Sequence, residues 1–147
     1  MKTEKINIKL LNENAMVPTY GSIYSAGADL YACIDKKIEI KPGETQFINT
    51  GIIFEIPTGY VGLVYARSSL GCKKGLAPSN KVGVIDSDYR GEVIVALHNH
   101  SNEIHEINPN DRIAQIVFTP YIKGNFCITN ELNDTERGTG GFGSTDK

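Results

Sequence analysis

Apolar and polar positions alternate along most of this chain. "KINIKL" puts Ile6, Ile8 and Leu10 on one face of an extended segment, and "KKIEIK" does the same with Ile38 and Ile40. Both spacings predict half-buried strands. Further β-branched and aromatic runs follow in "TQFINTGIIFEIP", "YVGLVYAR", "EVIVALHN", "EIHEIN" and "RIAQIVFTPY", parted by the turn-forming clusters "KPGE", "PTG" and "NPND". No window carries a 3.6-residue apolar stripe, although "DRIAQIVF" is too short for its period to exclude a helix. Many short strands at regular spacing predict an all-β sandwich, barrel or jelly roll, and no repeat or linker divides it. The alternation stops in "NDTERGTGGFGSTDK", which is glycine-rich around one aromatic, Phe142. The expected organisation is a β core over residues 1–132 and a C-terminal arm over residues 133–147.

Composition narrows the classes of function. A chain of 147 residues buries roughly 70% of the surface that its unfolded form exposes, enough for one unstapled domain. A net charge of −2 and a pI near 5.9 lack the basic balance that accompanies stable nucleic-acid binding. Cys33, Cys72 and Cys127 are far apart and form no C-x-x-C pair, which speaks against a disulfide framework and a cysteine zinc site. The N-terminus has no apolar signal region, and no run approaches the roughly 20 apolar residues of a membrane span. The expectation is a soluble, cytoplasmic protein with reduced thiols. Its one basic cluster, "RSSLGCKKG", reads as a solvated loop that can still hold a small anion.

Several polar residues interrupt the apolar runs, and each also has an ordinary reading. Asp86 in "GVIDSDYRGE" follows the buried-looking run "VGVI", where a carboxylate is costly unless paired, solvated in a cleft or used; a hairpin turn is the plain alternative. Asp29 in "SAGADLYA" reads as a turn carboxylate, and Gln115 as an amide on a strand's solvent face. Arg67, Ser68 and Ser69 follow a strand, where a guanidinium and hydroxyls can gather on an anion. His98, Asn99, His100 and His105 invite a zinc or nuclease reading, but no acidic or cysteine partner stands at ligand spacing, so exposed histidines near a turn are expected. Neither a G-x-S-x-G elbow nor a Cys–His partnership supports covalent catalysis. Gly138, Gly140 and Gly143 spell G-x-G-x-x-G, yet the chain is too short beyond them for a dinucleotide fold, and Ser144 occupies the lysine position of a P-loop. What remains is an arm whose glycines admit phosphate to backbone N–H groups and whose Arg137 adds charge.

In order, "SAGADL", "ARSSLG", "GVIDSDYRGE", "DRIAQ" and "RGTGGFGST" resemble the motifs of the trimeric dUTPase family, the dUTP diphosphatases. They span Ser25 to Thr145, nearly the whole chain. The resemblance implies a distorted jelly-roll or β-barrel-like subunit in a homotrimer. Active sites would lie between subunits, each closed by a neighbour's C-terminal arm. It implies Mg²⁺-assisted hydrolysis of dUTP to dUMP and pyrophosphate, which keeps uracil out of DNA and supplies dUMP.

Position by position, Asp86 matches the carboxylate that activates water, a general-base role. Tyr89 matches the ring beneath deoxyribose that leaves no space for a 2′-hydroxyl. Asn80 and Val84 lie in the matching uracil-reading hairpin, Asn80 contributing its amide. Arg67, Ser68, Ser69 and Gln115 match the phosphate-binding side, and Arg137, Gly143, Ser144 and Thr145 that of the arm. Phe142 matches the aromatic that stacks on the base. Asp29 matches the acidic residue tied to Mg²⁺ through water, the metal being held mainly by substrate phosphates. Asp88 and Arg90 are expected to pair structurally.

Two positions depart from the pattern: Ala66 stands where proline is common, and Asn110 where glycine is common. The related dCTP deaminases share the fold and the Arg-Ser-Ser segment, so deaminase activity, alone or added, is one alternative. A regulatory binding protein on the dUTPase scaffold is the other.

Overall fold

The computed structural model describes residues 3–141. In chain order its elements are β1 (Asn7–Leu10), β2 (Thr19–Tyr20), β3 (Ala28–Tyr31), β4 (Ile38–Ile40), β5 (Thr45–Asn49), β6 (Ile52–Glu55), β7 (Tyr60–Tyr65), α1 (Ser68–Lys74), β8 (Leu76–Pro78), β9 (Gly83–Ile85), β10 (Ile94–Asn99), β11 (His105–Ile107) and β12 (Arg112–Pro120). All pairings are antiparallel: β1 with β6, β4 with β11, the order β5-β10-β8, and the five-stranded order β2-β3-β12-β7-β9. This is the all-β, jelly-roll-like architecture that the resemblance implies.

Alternation becomes packing in the way the sequence predicts. In β10, Val95, Leu97 and Asn99 are buried, whereas Ile94 faces out. Leu30, Ile40, Ile48, Ile52, Leu97, Ile107, Ile113 and Ile116 come from seven strands and meet in one core. "DRIAQIVF" resolves to strand β12.

Three local features differ from the sequence reading. The run "TQFINTGIIFEIP" is broken between β5 and β6 at Gly51, whose φ of 70° is a left-handed conformation open to glycine. A side chain there would meet the Ala15 Cβ at 2.6 Å and the Cys33 Sγ at 2.9 Å. The basic segment expected as a solvated loop instead contains α1, capped by Gly75 at φ 66°, with Lys73 and Lys74 in its last turn. Leu70 is its one buried residue, too little for an apolar period to register. Finally, "VGVI" is not buried in the single chain: Val84 is 61% exposed and Asp86 is exposed as well.

Among the described residues the last strand ends at Pro120, and every residue from Tyr121 to Thr139 is exposed. Ile122, Phe126, Ile128 and Leu132 share one parity, so an extended backbone puts them on one face. That spacing is a strand signal that the sequence reading passed over.

Asn99, between two histidines, serves the core. Its amide donates to the Ile40 carbonyl at 2.8 Å and the Glu103 carbonyl at 2.7 Å, and its oxygen accepts from the Ser101 N–H at 2.9 Å and hydroxyl at 2.8 Å. Asn99→Ala leaves buried carbonyls unpaired and is expected to cost about 3 kcal/mol of unfolding free energy in urea titrations; a loss below about 1 kcal/mol would show the network to be dispensable.

Candidate active site

The first, second and fourth motifs meet at a buried carboxylate. Asp29 of β3 lies opposite Gln115 of β12, which lies opposite Tyr65 of β7, so the strand ladder brings the three segments side by side. Arg67, just beyond β7, donates from Nε to Asp29 Oδ1 at 2.6 Å, and Arg112 donates from Nη1 to Oδ2 at 3.3 Å. Asp29 is 8% exposed, so it is far from the solvated turn carboxylate that its sequence context allows. Two guanidiniums on one carboxylate leave a positive charge in excess. Arg67 Nη1 also reaches the Ser69 hydroxyl at 3.2 Å, and Ser68 opens α1 with its side chain exposed.

Gln115 does not point to solvent as its strand position suggests. Its Nε2 donates to the Ala66 carbonyl at 2.9 Å, and its Oε1 occupies the place that any β-carbon on Gly27 would take. At the neighbouring turn Asn110 adopts φ 65°, a left-handed conformation that asparagine tolerates, and its N–H donates to the Ala32 carbonyl at 2.9 Å. The departure from glycine therefore leaves this turn intact.

The third motif forms a second cluster. Val84, Asp86 and Tyr89 line a cavity of about 190 Å³ together with Ile85, Glu92, Val93 and Ile94. The Tyr89 N–H donates to the Asp86 carbonyl at 3.2 Å, closing the turn. Arg90 does not pair with Asp88 as expected: its guanidinium donates to the Ser87 and Tyr89 carbonyls at 2.7 and 2.9 Å and lies 3.9 Å from Glu55. Asn80 sits in the preceding turn, its Nδ2 3.6 Å from where a Gly83 β-carbon would stand.

The two clusters are apart within one chain. Val84 pairs with Leu63 and Ile85 with Gly62, so Asp86 continues towards the start of β7, while Arg67 lies beyond its end. At about 3.3 Å per residue the intervening strand sets the two backbone positions roughly 20 Å apart. Of the arm, Arg137 donates from Nε to the Gly140 carbonyl at 2.9 Å; Phe142, Gly143, Ser144 and Thr145 lie outside the described residues.

Other candidates separate from these clusters. A cavity of about 600 Å³ lies among Ile6, Tyr20, Ile23, Pro57, Tyr60 and Phe118, and none of the predicted site residues lines it. His98 bonds through Nδ1 with the Thr45 hydroxyl at 2.8 Å, and His105 through Nε2 with the Ser101 hydroxyl at 3.0 Å. Desolvation, followed by the charges of Lys81 and His98, holds the His100 imidazole below its ordinary pKa. Among the described residues no three His, Cys, Asp or Glu side chains gather to hold a metal. The sequence reading missed Arg112, Gly27, Gly91 and Glu92; "DRIAQ" and "YRGE" contain three of these, but adjacency to a motif residue was the only signal.

An all-β domain with cationic side chains clamped on a buried carboxylate, and an exposed aspartate beside an aromatic ring, is equipped to bind an anionic ligand. The dUTPase family model matches residues 13–146. The deoxyuridine 5'-triphosphate nucleotidohydrolase of Nautilia profundicola is 49% identical over 143 residues, covering 97% of this chain and 99% of that protein. A mutant of the Staphylococcus bacteriophage 80alpha dUTPase, solved with dUpNHpp, superposes with a TM-score of 0.88 at 27% identity, covering 97% of this chain and 99% of that one. A mutant dUTPase from phage phi11 of S. aureus, whose structure details coordination of a structural Mg(II) ion, superposes at 0.78 with 25% identity over 87% of this chain and 98% of that one. The chain belongs to the dUTPase family.

Asp29→Asn keeps the side-chain volume but leaves Arg67 and Arg112 without their counter-charge. It is expected to lower unfolding free energy by about 2 kcal/mol, read from thermal or urea unfolding. An unchanged transition would show that the clamp adds nothing to stability.

Proposed function

We propose that this protein hydrolyses dUTP to dUMP and pyrophosphate, keeping uracil out of DNA and supplying dUMP. The observation that carries the reading is the cavity at which the Asp86 carboxylate and the Tyr89 ring meet, in a chain whose first, second and fourth motifs join at a cationic cluster. Asp86 accepts the proton of a water that attacks the α-phosphorus. The new phosphorus–oxygen bond forms as the bond to the bridging oxygen breaks, and pyrophosphate leaves. Tyr89 packs beneath deoxyribose, while Asn80 and Val84 belong to the hairpin that reads uracil. Arg67, Ser68, Ser69 and Gln115 hold phosphate oxygens, and Arg67, already held by Asp29, needs little reorganisation to do so. From the arm, Arg137, Gly143, Ser144 and Thr145 add phosphate contacts, and Phe142 stacks on the base.

The described donor set fits Mg²⁺ that arrives on the triphosphate rather than a resident ion in a protein cage. Among the described residues no group of three ligating side chains gathers, and the Asp29 oxygens each already accept from an arginine while retaining lone pairs for a metal-bound water. When bound, the ion supplies neutralisation of phosphate charge.

The assembly in this reading is a homotrimer with sites between copies. The separation of roughly 20 Å between Asp86 and Arg67 along β7 favours sites built from more than one chain. The exposed apolar parity of residues 122–132 supplies an intermolecular strand, and the arm over 133–147 follows it onto a neighbour. No described helix is long and apolar enough to cross a membrane, and the reading places the enzyme in the cytoplasm.

Asp86→Asn is expected to retain binding of dUpNHpp within about threefold while turnover of dUTP falls by at least about a hundredfold. Calorimetry and product chromatography separate the two, and near-normal turnover would remove Asp86 from the chemistry. Truncation after Asn133 is expected to leave a trimer by light scattering with at least about tenfold lower kcat/KM. Full activity of that truncate would exclude the arm from the reaction.

A further inference from the structure

We propose that Gly91 and Glu92 are positioning residues that fix the Tyr89 ring, and through it the discrimination between deoxyribose and ribose. This rests on the reading of Tyr89 as the sugar-packing ring. Tyr89 folds back over Gly91 so closely that a β-carbon there would lie against the phenol oxygen and Cζ and within 2.8 Å of Cε2. The φ of Gly91 is not positive. Its backbone is one that any residue adopts, so the requirement for glycine comes from the tyrosine.

Glu92 supplies the other half of the mount. Its main-chain carbonyl accepts from the Tyr89 hydroxyl at 3.1 Å. Its carboxylate accepts from the Gly51 N–H and the Asn49 Nδ2, both at 2.7 Å. Gly51 is in a left-handed conformation, with Ala15 and Cys33 crowding the place where a β-carbon would stand. A continuous path therefore runs from the β5–β6 corner through the Glu92 side chain and carbonyl to the Tyr89 hydroxyl. The ring at its end is 45% exposed and lines the cavity with Asp86, so this mount substitutes for core packing. A methyl group at Gly91 must push the phenol away by about an ångström to reach ordinary contact. Glu92→Gln keeps an acceptor for one of the two donors and turns an N–H₂ group towards the other.

The test uses the full-length protein with Mg²⁺ and measures kcat and KM for dUTP, UTP and dTTP in wild type, Gly91→Ala, Glu92→Gln, Tyr89→Ala and the Gly91→Ala/Tyr89→Ala double variant. Gly91→Ala and Tyr89→Ala are each expected to raise the UTP-to-dUTP ratio of kcat/KM by at least about tenfold, and Glu92→Gln by about threefold or more. The dTTP-to-dUTP ratio should stay within about twofold, because the base is read elsewhere in the hairpin. In the Tyr89→Ala background, Gly91→Ala should change the sugar ratio no further, as expected for a residue that acts through the ring. If Tyr89→Ala relaxes sugar selectivity while Gly91→Ala and Glu92→Gln do not, the positioning inference is wrong and the reading of Tyr89 stands. If Tyr89→Ala itself leaves the ratio unchanged, the reading fails and the inference with it. Should Gly91→Ala fail to fold by circular dichroism, Glu92→Gln decides alone, an unchanged ratio overturning the proposal.

Discussion

The Asp29 carboxylate holds together parts of the molecule that are remote in sequence. A carboxylate this buried is expensive unless its oxygens are paired, and here each accepts from a guanidinium. The two bonds are unequal: Arg67 is close and mostly covered, whereas Arg112 is longer and half exposed, where water screens it. The inner pair therefore sets the geometry, and the outer one offsets remaining charge. Gln115 reinforces the same junction by bonding the Ala66 carbonyl and filling the space above Gly27. The ends of β3, β7 and β12 are thereby locked in one arrangement, and the Arg67 guanidinium is held in a fixed orientation within it.

The second cluster is organised on a different principle. Asp86 and Tyr89 stand on a turn, exposed in the single chain, and Glu92 links the Tyr89 hydroxyl to the β5–β6 corner. One cluster is built by burial and the other by tethering, and β7 keeps them at opposite ends. The family's substrate carries a base at one end and a triphosphate at the other. In the proposed assembly, each cluster takes the end that its chemistry suits.

Much of the fold was legible because alternation reports faces. Ile38 and Ile40 of β4 lie on the inner side of the exposed Glu39, and Val95 and Leu97 are buried in β10. The motif segments were legible because their polar residues interrupt apolar runs. Less legible were features defined by space or by partners. Gly91 matters for the volume it leaves open, and Arg112 matters for which carboxylate it finds. Helix α1 has one buried residue and so no period to detect, and the break at Gly51 depends on Ala15 and Cys33, far away in sequence. The run "VGVI" reads as buried because apolar residues alone carry no information about whether anything in the same chain covers them.

The strip from Ile122 to Leu132 has a consequence for the newly made chain. It combines β-branched and aromatic residues at strand spacing with little charge, the composition that favours uncontrolled strand pairing. A monomer displaying it is a hazard, whereas a chain that has delivered it to a correct partner is not. Assembly and aggregation therefore compete for one surface. Substitutions far from either cluster that slow assembly act first on yield of soluble protein, before any defect in chemistry becomes measurable.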